Sequence, residues 1–367
     1  MSVPAPRSSI MSLKPYVPGH SGADHNAKLI YLCSNENPLG ASPRAREAII
    51  EFAGRLASYP DGGATALREA IARKFGLDTN CIAVGNGSDE LLEMLAAAYI
   101  GDGDEGLYTQ YGFLVYPIAI TAAGGVAVCA PEKDLRVDVD AVLARVSEKT
   151  KLVYITNPGN PTGSYIPFEE VKRLHAGLPA HVLLVLDAAY AEYVNRNDYA
   201  AGIELVASAE NVVMTRTFSK VYGLAGLRVG WMFGPREVVD VINRIRGPFN
   251  VNAGAQAAAV AALADDAFVA RSVEVNTAGL AYLTAELEAL GLTVSPSVTN
   301  FILIHFPDQD GLRAAEAERY LRSHGLLLRG VAAYGLPGAL RLTIGTEDAN
   351  RKVVDVLKQF LSGHRTS

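Results

Sequence analysis

The stretch of sequence that decides the fold is NVVMTRTFSKVYGLAGLRVGW, residues 211–231. It opens with an apolar run of the kind that forms a strand covered on both faces of a parallel sheet. The run ends in a short segment that contains Thr217, Ser219 and Lys220, and several glycines and Arg228 follow. Because ligands of open α/β sheets bind outside the carboxyl ends of the strands, this lysine is a candidate for chemistry.

Three further runs share this continuous apolar character: CIAV (81–84), KLVYIT (151–156) and HVLLVLD (181–187). Helical patterns occupy residues 43–56, 65–75 and 88–100. Helices that alternate with buried strands predict an α/β fold, in which a mostly parallel sheet lies between layers of helices.

The pattern changes beyond about residue 265. A long helical stretch there leads into short strand-like runs, which include FILIHF and LRLTIG, with further helices between them. We therefore predict a large domain over residues 41–265 and a smaller α+β domain over residues 266–367. Residues 1–40 are rich in Pro, Ser and Gly and are predicted to form a mostly irregular N-terminal arm.

The composition is that of a globular protein, with 49% hydrophobic residues in a chain of 367. Lysine and arginine total 33 against 39 aspartate and glutamate, a net charge of −6, which argues against a dedicated nucleic-acid binder. The three cysteines, Cys33, Cys81 and Cys129, lie far apart, which disfavours a disulfide framework or a zinc site and fits a cytoplasmic protein. No apolar run approaches the roughly 20 residues that span a bilayer, so no membrane segment is expected.

Polar residues follow two of the strand-like runs in motifs that suit a ligand. In GNGSDE (85–90) a glycine turn leads into a helix, and the N–H groups of Gly87, Ser88 and Asp89 could bind a phosphate. The alternative is a helix that Ser88 simply caps. In NPGNPTG (157–163), Asn160 is either a hydrogen-bond donor to a ligand or an ordinary turn residue.

The two most informative candidates are Asp187 and Lys220. Asp187 ends a strongly apolar strand, so its carboxylate needs a cationic or hydrogen-bonding partner, and a protonated pyridine nitrogen is one such partner. Lys220 lies among hydroxyl groups and suits a lysine that forms a Schiff base, with Ser219 and Arg228 available to hold a phosphate. The simpler interpretations are an aspartate that caps the next segment and a lysine on the surface.

Taken in order, these motifs resemble the fold-type I enzymes that depend on pyridoxal 5′-phosphate (PLP), specifically the class I and II aminotransferases and, among them, the family of histidinol-phosphate aminotransferases. The family's pattern occurs here over nearly the whole chain, as SNENPLG (34–40), YPDG (59–62), GNGSDE (85–90), NPGNPTG (157–163), DAAYAEY (187–193), TFSKVYGLAGLRVGW (217–231), and TNFIL and LRLTIG near the end. An ordered set of this kind is far more specific than any single motif.

The resemblance implies a cofactor role for each matching residue. Lys220 would carry the PLP and move the proton, Asp187 would pair with the pyridine nitrogen, and Tyr190 and Asn160 would hydrogen-bond the phenolic oxygen of the ring. The residues expected around the cofactor phosphate are Gly87, Ser88, Asp89, Thr217, Ser219 and Arg228.

The resemblance also implies an aromatic side chain stacked on the ring and a second subunit. Tyr108, Tyr111 and Phe113 are the candidates for the stacking residue, and Tyr111 is favoured. Tyr59 resembles the tyrosine that reaches the cofactor phosphate of the neighbouring subunit. A homodimer with shared active sites is therefore expected, with the N-terminal arm packed against the small domain and the partner.

The residues that the resemblance assigns to the substrate are Tyr16, Asn37, Asn160, Arg329 and Arg341. Arg341 resembles the arginine that binds a substrate α-carboxylate, and Arg329 the arginine that faces a substrate phosphate. On the strand LRLTIG, Arg341 and Thr343 should face one side and the leucines the other. The implied reaction is transamination of L-histidinol phosphate with 2-oxoglutarate, which gives imidazole acetol phosphate and glutamate in histidine biosynthesis.

Three other functions share parts of this pattern. Aromatic amino-acid aminotransferases, which act on tyrosine or phenylalanine, have the same cofactor residues. PLP-dependent decarboxylases of phosphorylated amino acids share the fold, but they release CO₂ and form no keto acid. A non-catalytic PLP-binding regulator normally carries a DNA-binding domain, for which this chain has no basic segment. Transamination is therefore the prediction.

Overall fold

The computed structural model describes residues 5–14 and 29–363. The strands found there are β1 Ile30–Tyr31, β2 Ile82–Gly85, β3 Glu105–Thr109, β4 Val126–Ala130, β5 Glu132–Lys133, β6 Arg136–Val137, β7 Thr150–Thr156, β8 Leu183–Asp187, β9 Val212–Thr217, β10 Gly230–Phe233, β11 Thr293–Ser295, β12 Phe301–His305, β13 Leu326–Leu327, β14 Arg329–Gly330 and β15 Ala339–Thr343. The α-helices are α1 Ser8–Met11, α2 Pro43–Phe52, α3 Thr65–Phe75, α4 Ser88–Tyr99, α5 Val115–Ala123, α6 Val139–Leu143, α7 Phe168–Gly177, α8 Ile203–Val206, α9 Arg236–Ile245, α10 Ala253–Leu263, α11 Asp266–Ala289, α12 Ala314–Ser323 and α13 Glu347–Ser362.

Seven strands form a large, mostly parallel sheet in the order β2-β10-β9-β8-β7-β3-β4. Neighbours from β9 to β4 run parallel, whereas β10 is antiparallel to both β2 and β9. The α/β prediction is confirmed, and the four predicted strands are β2, β7, β8 and β9. The sequence analysis missed β3, β4 and β10, because β3 and β4 are only partly buried and β10 follows a glycine-rich segment.

The large sheet is buried on both faces, which explains its uninterrupted apolar strands. In β8, Leu184 and Leu186 belong to the hydrophobic core on one face of the sheet, and Leu183 and Val185 belong to the core on the other. Because side chains alternate along a strand, a strand covered twice must be apolar at every position. The run therefore stays apolar until the strand emerges at its carboxyl end, where Asp187 lies.

Four strands form a separate small sheet in the antiparallel order β11-β12-β15-β14. Its core includes Ile302, Leu342 and Phe360 and is distinct from the core of the large sheet. The long helix α11 begins at Asp266, where the sequence analysis placed the domain boundary. The strand β1, which lies in the predicted arm, pairs with β13. The helix α1, also in the arm, contacts α5, and Arg7 donates a hydrogen bond to the carbonyl of Ala122 there.

The helix α10 is apolar because it is packed inside the protein. Ala255, Ala258, Ala259 and Ala262 of α10 are fully buried, and this helix lies against α2 and α3. Among the helices that the structure describes, none is by itself long and apolar enough to cross a membrane. Among those helices, only α10 and α11 taken together meet the criterion of length and apolar composition, as a pair bent by 80°.

Candidate active site

The carboxyl ends of β2, β7, β8 and β9 meet the small sheet at a cavity of about 480 Å³. The predicted site residues that line it are Ser88, Asp89, Asn160, Asp187, Tyr190, Thr217, Ser219, Lys220, Arg228, Arg329 and Arg341. Residues that the sequence analysis did not single out also line it, among them Cys33, Ser34, Asn35, Glu36, Thr156 and Tyr334. Parallel strands bring their carboxyl ends to one edge of a sheet, so motifs far apart in sequence converge there.

Lys220 lies inside this cavity in a setting that favours its neutral amine. Its Nζ atom donates to the carbonyl of Ser34 at 3.3 Å and lies 5.7 Å from the centre of the Tyr190 ring. Burial lowers the pKa of Lys220 to about 8, and the positive charge of Arg341 acts in the same direction. A neutral amine is the form that reacts with an aldehyde or accepts a proton.

Asp187 is buried at the end of β8 and has neutral hydrogen-bond donors within the part of the chain that the structure describes. The hydroxyl of Tyr116 donates to its Oδ2 atom at 2.8 Å, and Thr215 donates to Oδ1 at a longer 3.4 Å. Burial raises the pKa of Asp187 to about 6, against the opposing effect of the Tyr116 bond. A carboxylate held this way gains from a cation in the cavity, so a protonated pyridine ring fits the site.

The start of α4 forms a site for an anion together with Arg228. Gly87 is the N-cap, has a φ of +86° and has no side chain with which to cap the first-turn N–H groups. Arg228 donates to Ser219 Oγ at 3.3 Å and to Asp89 Oδ2 at 3.2 Å, so both residues orient the guanidinium group. The alternative that Ser88 caps this helix is wrong, because Ser88 lies inside the first turn.

Close packing around this anion site depends on glycine. A Cβ atom on Gly87 would lie 2.5 Å from Arg228 Nη2, and one on Gly230 would lie 2.4 Å from the backbone nitrogen of Ser88. Arg228 itself has a φ of +52°, a left-handed conformation that is uncommon for a residue with a side chain. Such strain is retained where the surrounding structure fixes the residue, as at ligand sites. These features suit a cofactor phosphate.

The two asparagines of the 157–163 loop have different roles. Asn157 is a turn residue, because its side chain donates to the carbonyl and accepts from the N–H of Ile166. Asn160 lines the cavity, and its Oδ1 atom accepts from Arg341 at 2.5 Å. Its side-chain NH₂ group is thus the part left to donate to a ligand.

The small sheet contributes arginines to the cavity. Arg341 is 6% exposed, donates to the carbonyl of Cys33 at 2.8 Å and places its guanidinium 5.3 Å from the ring of Phe301. The neighbouring residues Leu340 and Leu342 belong to the core of the small sheet, as the alternation of the strand predicts. In the antiparallel register of β14 and β15, Arg329 lies directly opposite Arg341.

Tyr190 is fixed by partners that the sequence analysis did not identify. Its hydroxyl accepts from Asn35 Nδ2 at 2.8 Å, and the backbone nitrogen of Asn35 donates to Thr343 Oγ1 at 2.9 Å. Two residues beyond Tyr190, the buried Glu192 forms a 2.8 Å ion pair with Arg216 of β9. This pair ties the segment after β8 to the neighbouring strand.

Three predicted residues whose side chains the structure describes, Asn37, Tyr59 and Tyr111, do not line the cavity. The side-chain NH₂ group of Asn37 donates hydrogen bonds to the carbonyl of Val221 and to Ser272 Oγ, so it is already occupied by contacts within the protein. Tyr59 is 82% exposed and stacks on Phe249 at 4.7 Å. Tyr111 does not line the cavity, whereas Phe113 does. Tyr16 lies outside the residues that the structure describes. The ligand roles of all four stay predictions.

Comparison with known proteins agrees with this geometry. The family model for aminotransferase class I and II matches residues 27–357. The chain therefore belongs to the class I and II aminotransferases, enzymes that depend on PLP.

Within this family the chain is similar to histidinol-phosphate aminotransferases, as its motifs indicate. The enzyme of that name from Rhodopseudomonas palustris (strain BisB5) is 55% identical over 363 residues, which cover 99% of this chain and 100% of the relative. The crystal structure of histidinol-phosphate aminotransferase from Sinorhizobium meliloti, in complex with PLP, has a TM-score of 0.89 at 29% identity and covers 99% of both chains. A double mutant of Thermus thermophilus aspartate aminotransferase, at 23% identity and a TM-score of 0.84, shares the fold and covers 98% of this chain and 100% of its own.

The amine of Lys220 in the apoenzyme is expected to titrate near its lowered pKa of about 8. Competitive labelling with acetic anhydride from about pH 6 to 11, followed by mass spectrometry, measures this midpoint against that of free lysine, about 10.4. In Arg341→Gln the midpoint should rise, because a nearby positive charge is lost. A Lys220 midpoint equal to that of free lysine would show that the amine is not desolvated.

Replacement of Asp187 by Asn is expected to stabilise the apoenzyme at neutral pH and to abolish turnover. The folded-state pKa of Asp187 is raised to about 6, so the stability that its neutral form contributes is present below about pH 4 and is lost as pH rises through 6. Because the asparagine side chain of the variant stays neutral, the free energy of unfolding of the variant does not fall in this way; the difference amounts to at most about 3 kcal/mol. Turnover should fall by at least about 10²-fold.

Thermal unfolding of the apoenzymes at low and neutral pH measures the gain in Asp187→Asn. The exposed residue Asp240, which pairs with Arg244 on α9, provides the control Asp240→Asn, which should show no such gain. Equal pH dependence for the Asp187→Asn variant and the wild type would contradict the assignment of a buried, destabilised carboxylate.

Proposed function

We propose that this protein transfers the amino group of L-histidinol phosphate to 2-oxoglutarate, with PLP bound at Lys220, as a cytoplasmic enzyme of histidine biosynthesis. The products are imidazole acetol phosphate and glutamate. We also propose that the chain forms a large domain that ends at residue 265 and a small domain that begins at residue 266.

The observation that carries this proposal is the pairing of Arg329 with Arg341. The two arginines lie directly opposite each other on β14 and β15, and both line the cavity. Two guanidinium groups in one cavity favour an anionic ligand, because each can bind a carboxylate or a phosphate through charge-assisted hydrogen bonds. Histidinol phosphate brings a phosphate and 2-oxoglutarate brings two carboxylates, so each substrate offers anionic groups to these arginines at its own stage of the reaction.

When bound, PLP supplies an electron sink that stabilises negative charge on the carbon next to the transferred nitrogen. Asp187 favours the protonated ring nitrogen, on which this property depends, because its buried carboxylate otherwise has neutral partners among the described residues. The Nζ atom of Lys220 would accept the proton from the substrate carbon and deliver it to the cofactor, which its pKa of about 8 permits near neutral pH.

The remaining residues orient the reactants. Arg228 and the start of α4 would hold the cofactor phosphate, and the hydrogen bonds from Arg228 to Ser219 and Asp89 orient its guanidinium group. Asn160 and Tyr190 would hydrogen-bond the phenolic oxygen of the cofactor; Asn160 is fixed by Arg341 and Tyr190 by Asn35. The hydrogen bond from Arg341 to Asn160 therefore connects a residue proposed to bind the substrate with a residue proposed to bind the cofactor.

The enzyme acts as a homodimer in which Tyr59 serves the partner's site. A groove lined by Ile49, Phe52, Leu56, Tyr59 and Phe249 presents apolar side chains to solvent. Leu56 is 74% and Tyr59 82% exposed, which is unusual for neighbouring large side chains unless another surface covers them. A second copy of the chain is the occupant that accounts for Tyr59, because Tyr59 does not line the cavity of its own chain.

Steady-state kinetics with 2-oxoglutarate as the acceptor tests the substrate. We expect kcat/KM for histidinol phosphate to exceed that for phenylalanine or tyrosine by at least tenfold, about 1.4 kcal/mol of transition-state binding. Histidinol, which lacks the phosphate, should be about 10²-fold poorer, because the charge-assisted contact between the substrate phosphate and Arg329 is lost. Arg329→Gln should reduce the difference between the two substrates, and the exposed Arg319→Gln on α12 should not.

Two results would contradict the proposed function. A tenfold preference for phenylalanine or tyrosine would identify an aromatic aminotransferase. Release of CO₂ without a keto acid product would identify a decarboxylase.

The shared site can be tested by mixing inactive subunits. We expect Lys220→Ala and Tyr59→Ala each to lose activity as homodimers, whereas co-expression restores one intact site in every mixed dimer. Random assortment gives about a quarter of wild-type activity. A double variant that carries both changes on one chain, co-expressed with Lys220→Ala, is the control without an intact site. Failure of the first pair to exceed its parents would contradict a site shared through Tyr59.

A further inference from the structure

The hairpin of β5 and β6 has a turn whose sequence does not suit its backbone. Lys133 pairs with Arg136, which leaves Asp134 and Leu135 as the two turn residues. Their φ angles are +52° and +60°, as in a type I′ turn. Asp is favoured at the first position, but glycine is favoured at the second, because a side chain such as that of leucine is strained in the left-handed region. Some other interaction therefore retains leucine here.

That interaction is a contact with a small cluster beside the cavity. Leu135 packs against buried residues that follow or belong to the small sheet, and we name these the junction cluster: Leu303, Val331, Tyr334 and Ala339. Leu114, which follows the cavity residue Phe113, packs against the same cluster. Tyr334 belongs both to the junction cluster and to the cavity wall.

The backbone of the turn is anchored to the large-sheet part of the protein. Ser164 Oγ donates to the carbonyl of Leu135 at 2.6 Å, and Ser164 directly follows the loop that contains Asn160. At the base of the hairpin, Glu132 accepts from the backbone nitrogen of Tyr111 at 3.1 Å. The hairpin is therefore fixed at its base and at its tip, while the side chain of Leu135 extends to the other wall of the cavity.

We infer that Leu135 is a positioning residue for substrate binding. Through the junction cluster it holds the Tyr334 wall, together with the strands β14 and β15, at the distance at which Arg329 and Arg341 meet the substrate anions. Leu135 itself touches no reactant. The inference rests on the proposed function insofar as those anions belong to histidinol phosphate and 2-oxoglutarate.

Leu135→Gly separates this role from a role in the turn. The variant has Asp-Gly, a sequence that the turn favours, so the hairpin should form at least as well and the thermal midpoint of the holoenzyme should not fall because of the turn. We expect KM for both substrates to rise on the order of tenfold, with kcat at saturation changed by less than about twofold. The visible absorbance of the bound cofactor should be unchanged.

Two matched variants complete the experiment. Asp134→Gly relieves the strain at the adjacent position and keeps the leucine, so its KM values should be those of the wild type. Leu135→Met keeps an apolar side chain of similar reach and should restore KM to within about twofold of the wild type. Amide hydrogen exchange in residues 331–336 of the holoenzyme should be faster in Leu135→Gly than in Asp134→Gly.

The outcomes separate this inference from the proposed function. Wild-type KM values in Leu135→Gly, or equal exchange in the two glycine variants, would overturn the positioning role. A wild-type enzyme that does not use histidinol phosphate would overturn the proposed substrate. The exchange comparison, which needs no substrate, would then decide the role of Leu135.

Discussion

A carboxylate buried at the end of an apolar strand must take up a proton or gain a cation, because desolvation disfavours its charged form. Asp187 is in this position, at the end of a strand whose other residues are fully buried, with a tyrosine and a threonine as its side-chain donors. The layers of helices that stabilise the sheet also create this demand for positive charge. The cavity is therefore built to receive a cationic ring, and the same burial lowers the pKa of the Lys220 amine beside it.

The small sheet, in contrast, places positive charge at the cavity. Arg341 is almost fully buried, and Arg329 lies opposite it across the strand pair. Carbonyl and amide oxygens, from Cys33 and Asn160, accept hydrogen bonds from Arg341 but do not neutralise its charge. One wall of the cavity thus favours a cation and the other favours anions. A PLP cofactor and a phosphorylated or dicarboxylic substrate satisfy both requirements together.

The two walls belong to different sheets, so their separation depends on contacts between the sheets. Asn35 bonds to Tyr190 on one side and to Thr343 on the other, and Asn300 donates to the carbonyl of Asn35. The junction cluster adds an apolar contact through Leu135 at the far side of the cavity. The segment that contains Asn35 and the hairpin of β5 and β6 act in the same way, since each connects the large-sheet wall of the cavity to the small-sheet wall.

The sequence by itself determined four of the seven strands of the large sheet and the polar residues at their carboxyl ends, because a strand buried on both faces is apolar at every position and ends where polar residues begin. Asp187, Asn160, Ser219 and Lys220 could be found in this way, and the ordered motifs identified the family. Only the tertiary structure showed that Tyr116 donates a hydrogen bond to Asp187 and that Asn35 donates one to Tyr190. It also showed that Arg329 lies opposite Arg341 in the small sheet. Asn35 and Tyr190 are 155 residues apart, and neither has a local pattern that indicates the other. Such partners are selected by the packing of one sheet against another, which no periodicity along the chain records.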